Sequence, residues 1–191
     1  MKQEIFDRTT YNAMVATLAK PGEVIISQLT PQRAHMWHMA TGIMGEATEL
    51  LTAYENRDRA NMLEEMGDGE FYFEGLCQAI STFIPAQIPA LPNNLWDGVG
   101  ACATALVVAA GEILDISKKI IIYNDDSRIN ALKSEMQVYR RRLDALYQLT
   151  GINQEEALLH NEQKLTKGSK ARYKDGVYSD EAAQKRADKQ E

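Results

Sequence analysis

The stretch Pro31-Gln-Arg-Ala-His-Met36-Trp-His-Met-Ala40-Thr-Gly-Ile43-Met-Gly-Glu-Ala47-Thr-Glu-Leu50-Leu-Thr-Ala-Tyr54 decides the fold. Its apolar positions, Met36, Ala40, Ile43, Ala47, Leu50 and Tyr54, recur in steps of four and three, which lines one face of an α-helix. Thr30 suits the N-cap, with Pro31 at the first helical position. The polar string Asn56-Arg57-Asp58 ends the run. Downstream, Met62, Met66, Phe73, Leu76, Cys77, Ile80 and Ile84 mark a second helix, expected to run to Pro85. Pro85, Pro89 and Pro92 make residues 85–94 a connector. A third helix is expected from Leu95 to Tyr123, with Val99, Cys102, Leu106, Ala109, Ile113, Ile116 and Ile120 on its stripe. Asn124-Asp125-Asp126-Ser127 breaks it. A fourth carries Leu132, Met136, Tyr139, Leu143 and Leu146 and stops at Thr150-Gly151, where glycine suits the C-terminal cap. Short helices are expected over Gln154–Leu165 and Thr10–Leu18, while Glu23–Leu29, with Val24-Ile25-Ile26 inside it, is ambiguous.

These elements predict an all-α bundle of helix pairs joined by short polar turns. The expected division is an N-terminal segment (1–30), a first helix pair (31–84), the connector (85–94), a second pair (95–165) and a tail (166–191), all in one compact domain. The tail is too polar to build its own core, so it is either mobile or docked.

The 191 residues are 45% hydrophobic and 25% charged, as in ordinary soluble domains. A net charge of −6 argues against holding a nucleic-acid polymer, since phosphate contacts need Lys and Arg. Cys77 and Cys102 are too few for a disulfide framework and fit a reducing compartment. The longest apolar run, Val99–Gly111, is short of the ~20 residues that span a membrane. Met1-Lys2-Gln3-Glu4 begins no apolar signal core, so a cytoplasmic protein is expected.

The chemistry lies in carboxylates on two adjacent helices. Glu46 and Glu49 are three residues apart, as are Glu65 and Asp68, so each pair projects together. In antiparallel helices both pairs can face one spot. Like charges about 5 Å apart repel by roughly 3 kcal/mol at an effective dielectric of ~20. A hard divalent cation that prefers oxygen ligands, Mg²⁺ or Mn²⁺, resolves that conflict. Taken singly, ExxE and ExxD are common on solvated helix faces. Here each pair adjoins a helical glycine, Gly45 or Gly67, which costs about 1 kcal/mol against alanine and needs a reason. His38 lies eleven residues before Glu49 and points nearly the same way.

The string from His38 through Gly45-Glu46-Ala-Thr-Glu49-Leu50, then Leu63-Glu64-Glu65-Met66-Gly67-Asp68 and Tyr72, resembles the MazG-like all-α nucleoside triphosphate pyrophosphohydrolases. The resemblance implies cleavage between the α and β phosphates of a nucleotide, giving a monophosphate and pyrophosphate. It implies Mg²⁺ on Glu46, Glu49, Glu65 and Asp68, with a metal-bound water as nucleophile and one glutamate, Glu46 or Glu49 among them, assisting as base. His38 and Tyr72 would lie near the nucleotide. Gly111-Glu112-Ile-Leu-Asp115, then Lys118-Lys119, and Leu132-Lys-Ser-Glu135-Met136 resemble the same pattern again, but Val138 stands where Asp68 would have its counterpart. Asn161, Lys164-Leu165, Arg172-Tyr173, Ser179–Ala183 and Arg186 resemble the family's C-terminal tail, with Lys164 and Arg172 further apart than usual. Substrate contacts are thus expected from His38, Tyr72, Lys118, Lys119, Lys164, Arg172 and Tyr173, in a homodimer. The second half is expected to be a degenerate, non-catalytic repeat.

Three other readings compete. A di-iron bundle would show E-x-x-H on two helices, and the sequence has none. A catalytically inactive relative would serve as an interaction or regulatory module. A plain scaffold would carry an accidental acidic patch. Trp37 and Trp96 read most simply as packing, Arg140-Arg141-Arg142 as a solvated face with one arginine open to a triphosphate, and the methionines as core filler. His35 and His160 have no functional case.

Overall fold

The computed structural model describes residues 7–86, 98–167, 171–174 and 176–185. Helices α1 (Arg8–Leu18), α2 (Gly22–Gln28), α3 (Pro31–Glu55), α4 (Arg59–Ala79), α5 (Val99–Tyr123), α6 (Ile129–Thr150), α7 (Gln154–Thr166) and α8 (Asp180–Lys185) follow in that order, with a 3-10 turn at Asp126–Arg128 before α6. The protein is all-α, and no strand occurs among the described residues. The ambiguous segment is helical, as α2.

The ends of the helices follow from their residues. Thr30 caps α3 by accepting from the Arg33 amide, with Pro31 at the first helical position. Asp58 caps α4 by accepting from Asn61 N–H, and Asn153 caps α7 through Glu155 and Glu156 N–H. Asn124 (φ 60°) and Gly151 (φ 64°) close α5 and α6 in the left-handed region. Two ends differ from expectation. The α4 helix stops at Ala79, and Ser81 turns left-handed at φ 48°, so Pro85 is not what ends it. Gly98, at φ 109°, starts α5 at Val99 rather than Leu95. Most of the connector (87–94), together with Leu95, Trp96 and Arg186, lies outside the described residues.

Cross-helix contacts fix the topology. Gln32 Nε2 donates to Ala79 O at 2.8 Å, placing the end of α4 beside the start of α3. Arg33 reaches Asn124 and Asp126, placing the end of α5 at that same end of the bundle. A side chain at Gly100 would collide with Tyr54 (2.8 Å), so α5 begins where α3 ends. Hence α4 and α5 run the same way. Short turns join α3 to α4 and α5 to α6, and the expected connector falls between α4 and α5, from one helix pair to the next.

The core is one cluster built from the predicted stripes, including Ile43, Leu50, Met66, Leu76, Leu106, Ile113, Leu132, Met136 and Leu146. By length and composition alone α5 would also pass for a membrane span, yet Cys102, Leu106, Ile113 and Ile120 are buried in this core. Both cysteines are buried free thiols, and burial pushes each up to about 11.

Arg140 corrects the view of the arginine run as a solvated face. It is 3% exposed, donating to Glu70 at 2.6 Å and to Asp144, while Gln154 holds the other Glu70 oxygen at 2.8 Å. The Phe73 ring, stacked on Tyr139, lies under the guanidinium. Those two carboxylates hold Arg140 charged against the desolvation of its site. The network joins α4, α6 and α7. Removing one partner strands buried charge, which costs more than the pair contributes. Arg140→Met is therefore expected to destabilise the fold by about 3–5 kcal/mol. Urea unfolding checks this, and a loss under 1 kcal/mol would mean Glu70 and Asp144 find other partners.

Candidate metal-carboxylate site

Glu46 and Glu49 on α3 meet Glu65 on α4. One carboxylate oxygen from each of the three lies within 4.8 Å of the others. This much of the sequence expectation is realised. Glu65 is buried, Glu46 half-buried and Glu49 exposed, so the group opens to solvent on the Glu49 side.

Close helix approach makes the meeting possible. A Cβ at Gly42 would fall 2.2 Å from the Tyr72 ring, and one at Gly75 would fall 2.2 Å from Met39 Sδ. Bare backbone at these positions lets α3 and α4 side chains lie across the partner helix. Gly67 has the same role toward α7, since its Cβ would meet Ala157 O at 2.6 Å. Gly45 faces open space. The packing reason sought for the two flagged glycines thus applies to Gly67, and Gly42 was missed. A glycine inside a strong helical period was the available signal.

Burial and crowding shape the charges. Desolvation, first, then a hydrogen bond with Glu65 and repulsion from Asp68, Glu65 and Glu49 push the Glu46 carboxyl up to about 9. Desolvation also raises Glu65, while its bond to Glu46 opposes the rise. Glu46 therefore keeps its proton at neutral pH and donates it to Glu65; the two titrate as a pair. Tyr72 lies close enough to Glu46 and Asp68 to be raised by burial first and then by their charges, with Arg172 acting in the opposite sense.

Asp68 differs from expectation. It does not join the three-glutamate group. Lys164 Nζ holds its two oxygens, at 2.6 Å for Oδ1, and also binds Glu64 at 3.0 Å. Asn161 Nδ2 adds a bond at 2.5 Å. Lys164 is 7% exposed in its side chain and serves Asp68 as an internal cation. Glu64 and Asn161 were not singled out as site residues from sequence, because their partners lie on α4 and α7, far apart along the chain.

Residues 171–173 also approach this region. Arg172 N–H donates to Lys164 O at 3.0 Å and Tyr173 N–H to Leu165 O at 2.8 Å, folding this stretch back over the end of α7. Ala171 is buried there, while α8 buries no residue. His38 packs edge-on to Tyr72, with centroids 5.9 Å apart. Tyr72 and Lys164 thus lie beside the carboxylates, and His38, Arg172 and Tyr173 lie around Tyr72. Lys118 and Lys119 do not: both pair with Asp115, at 3.1 and 2.5 Å, on a half-exposed part of α5. Glu112, Asp115 and Glu135 form no second such group among the described residues, and Val138 packs against the core.

No known protein family matches the chain, and neither the characterised proteins nor the solved structures contain a match.

Two outcomes follow from these charges. Glu46 is raised above its ordinary 4.5, so its contribution to stability is full below pH 4.5 and is lost as pH climbs through about 9. Glu46→Gln cannot ionise. It is expected to flatten this dependence and be more stable than wild type at pH 8 by about 1–2 kcal/mol, discounted for solvent screening. Urea melts at pH 5 and pH 8 check this, and a variant weaker at both would make Glu46 a structural hydrogen-bond partner. Lys164→Met removes the ammonium that holds both oxygens of Asp68 and is expected to cost about 3 kcal/mol. Mg²⁺ should raise the melting temperature of this variant more than that of wild type; an equal rise would separate Lys164 from the metal site.

Proposed function

We propose that the chain is a divalent-metal-dependent hydrolase of nucleoside triphosphates, releasing a nucleoside monophosphate and pyrophosphate. The observation that carries this reading is the convergence of Glu46, Glu49 and Glu65 within 4.8 Å, with two of them raised by burial and crowding. An all-oxygen donor set of this charge fits Mg²⁺ or Mn²⁺. The position of the cut rests on the resemblance to the MazG-like family.

Glu46, Glu49 and Glu65 would hold the ion, with Asp68 beside them. When bound, a divalent cation neutralises phosphate oxygens and acidifies water. The chain's own residues supply the rest. Arg172 and Lys164 bring positive charge to the side of the cluster where a polyphosphate would enter. Lys164 can exchange its Asp68 and Glu64 partners for phosphate oxygens without being left unpaired. A deprotonated glutamate accepts the proton of the attacking water as the bond between the α phosphorus and its bridging oxygen breaks, and pyrophosphate leaves. Tyr72 and His38, packed edge to face, wall the site on the α3–α4 side. Lys118 and Lys119 pair with Asp115 on α5 and would have to leave it to meet a phosphate. The working unit in this reading is a homodimer, for which the exposed apolar side chains Tyr11, Met14, Val15 and Leu18 of α1 offer contact surface.

A second reading, a catalytically inactive module, is favoured by one observation: Lys164 already satisfies Asp68. One experiment separates the two. A panel of ribo- and deoxynucleoside triphosphates with Mg²⁺, resolved by chromatography, should give monophosphate and pyrophosphate. Asp68→Asn should cut the rate by orders of magnitude, and Glu112→Gln by less than about tenfold. Absence of turnover across the panel would favour the inactive module. Diphosphate with orthophosphate would move the cut, and loss of activity in Glu112→Gln would bring the second half into the site.

A further inference from the structure

A cavity of about 750 Å³ lies at one end of the bundle, where α3 and α6 begin and α4 and α5 end. The volume lies within the range of small-molecule sites, about 300–1,000 Å³. Buried Met36, Ile80 and Ile120, with half-buried Ile129, form its apolar floor. Arg33, at its rim, is thirteen residues before Glu46 on α3, about 20 Å of helix rise, so the cavity is separate from the carboxylates.

The neutral groups of the rim are mixed in hydrogen-bonding capacity. Gln28 gives its oxygen to Lys20 and keeps its amide N–H groups. Gln32 gives one N–H to Ala79 O and keeps its oxygen. Thr30 accepts from the Arg33 amide, and the hydroxyls of Thr30 and Ser81 can also donate. Asn124 accepts from the Arg33 guanidinium and keeps its amide N–H groups. The positive ends of α3 and α6 meet the negative ends of α4 and α5 and offset them. Side-chain charge therefore decides what the cavity prefers.

That charge is unequal. The Arg33 side chain is 15% exposed, while its carboxylate partner Asp126, 2.8 Å away, is 70% exposed. A carboxylate standing in water is screened and holds such a cation weakly. Lys20 has neutral partners, the Gln28 oxygen at 2.7 Å and the Ile122 carbonyl. Asp125 is taken by Arg128 at 2.8 Å and by Ser127. Among Lys20, Arg33, Arg128, Asp125 and Asp126 the balance is positive, in a chain whose net charge is −6. An acid group entering the cavity can engage the planar guanidinium through two parallel hydrogen bonds and replace Asp126.

We infer that this cavity is a second binding site, for a small amphipathic oxyanion: a carboxylate or phosphate seated on Arg33, carried on an apolar body that packs on Met36, Ile80 and Ile120. It goes beyond the hydrolase reading and does not depend on it.

Octanoate and octyl phosphate are the anionic probes, with octanol and octylammonium as neutral and cationic controls, each below its micellar range. NMR titration follows the Met36 methyl resonance and gives dissociation constants for wild type, Arg33→Gln, Asp126→Asn and Glu46→Gln, with folding checked by circular dichroism. At least one anion is expected to bind about tenfold or more tighter than either control and to shift the Met36 methyl. Arg33→Gln should erase that margin. Asp126→Asn changes an exposed position, keeps Arg33 and should tighten anion binding about threefold by removing the competing charge. Glu46→Gln should leave the affinities within about twofold. Binding of octanoate alone would make the ligand a carboxylic acid, and of octyl phosphate alone a phosphate ester; either supports the site. A control that binds as tightly as the anions, weaker anion binding in Asp126→Asn, a Met36 resonance that does not move, or no binding of either anion would each overturn the inference. Any of these would leave the hydrolase reading standing, and absence of nucleotide turnover would leave this site standing.

Discussion

Glu46 and Glu65 face each other across the seam between α3 and α4, where burial makes two negative charges costly. The fold answers that cost with a proton shared by the Glu46–Glu65 pair. One turn along α4, Asp68 meets the same problem and receives a lysine instead. The site thus has two kinds of stand-in for a cation, a proton in one half and an ammonium in the other. Both can be displaced. In the proposed function the proton leaves to solvent as the ion binds, and Lys164 moves from its two carboxylates to a phosphate. An acidic patch that served only solubility would lie in water and need neither.

The backbone geometry exists to bring those groups together. Tyr72 lies over Gly42, Met39 over Gly75, and α7 sits on Gly67. Each contact replaces a side chain with a close approach, and each lies within a few turns of the carboxylates. Behind α4, the Arg140–Glu70–Asp144 network and Gln154 fix the direction in which α7 departs. That direction delivers Asn161 and Lys164 to Asp68. Local helix propensity does not account for a buried arginine of this kind; its value lies in orienting three helices against one another.

Much of this was legible in the sequence, for a physical reason. Helix stripes, the Thr30 cap, the Asn124 break and the Gly151 cap are local signals, and local chemistry produced them. The pairing of ExxE with ExxD was legible because residues three apart share a helix face. What escaped depends on partners distant in the chain. Nothing near Asp68 announces Lys164, and nothing near Arg140 announces Glu70. The end of α4 was misplaced because Ile80 and Ile84, both buried, continue the apolar pattern after the helix has stopped. Lys118 and Lys119 are expected at the substrate by resemblance, and in the fold they pair with Asp115, one turn back on the same helix. The family resemblance itself rests on the motif residues alone.

The central claim is that a proton on the Glu46–Glu65 pair holds the place of a metal ion. Calorimetric titration of Mg²⁺ at pH 7.5, in two buffers of different ionisation enthalpy, tests it without any substrate. With Glu46 pushed up to about 9, binding should release close to one proton per ion, visible as a buffer-dependent heat. That release should vanish in Glu46→Gln. Saturable Mg²⁺ binding with the same heat in both buffers, or no Mg²⁺ binding at all, would contradict it.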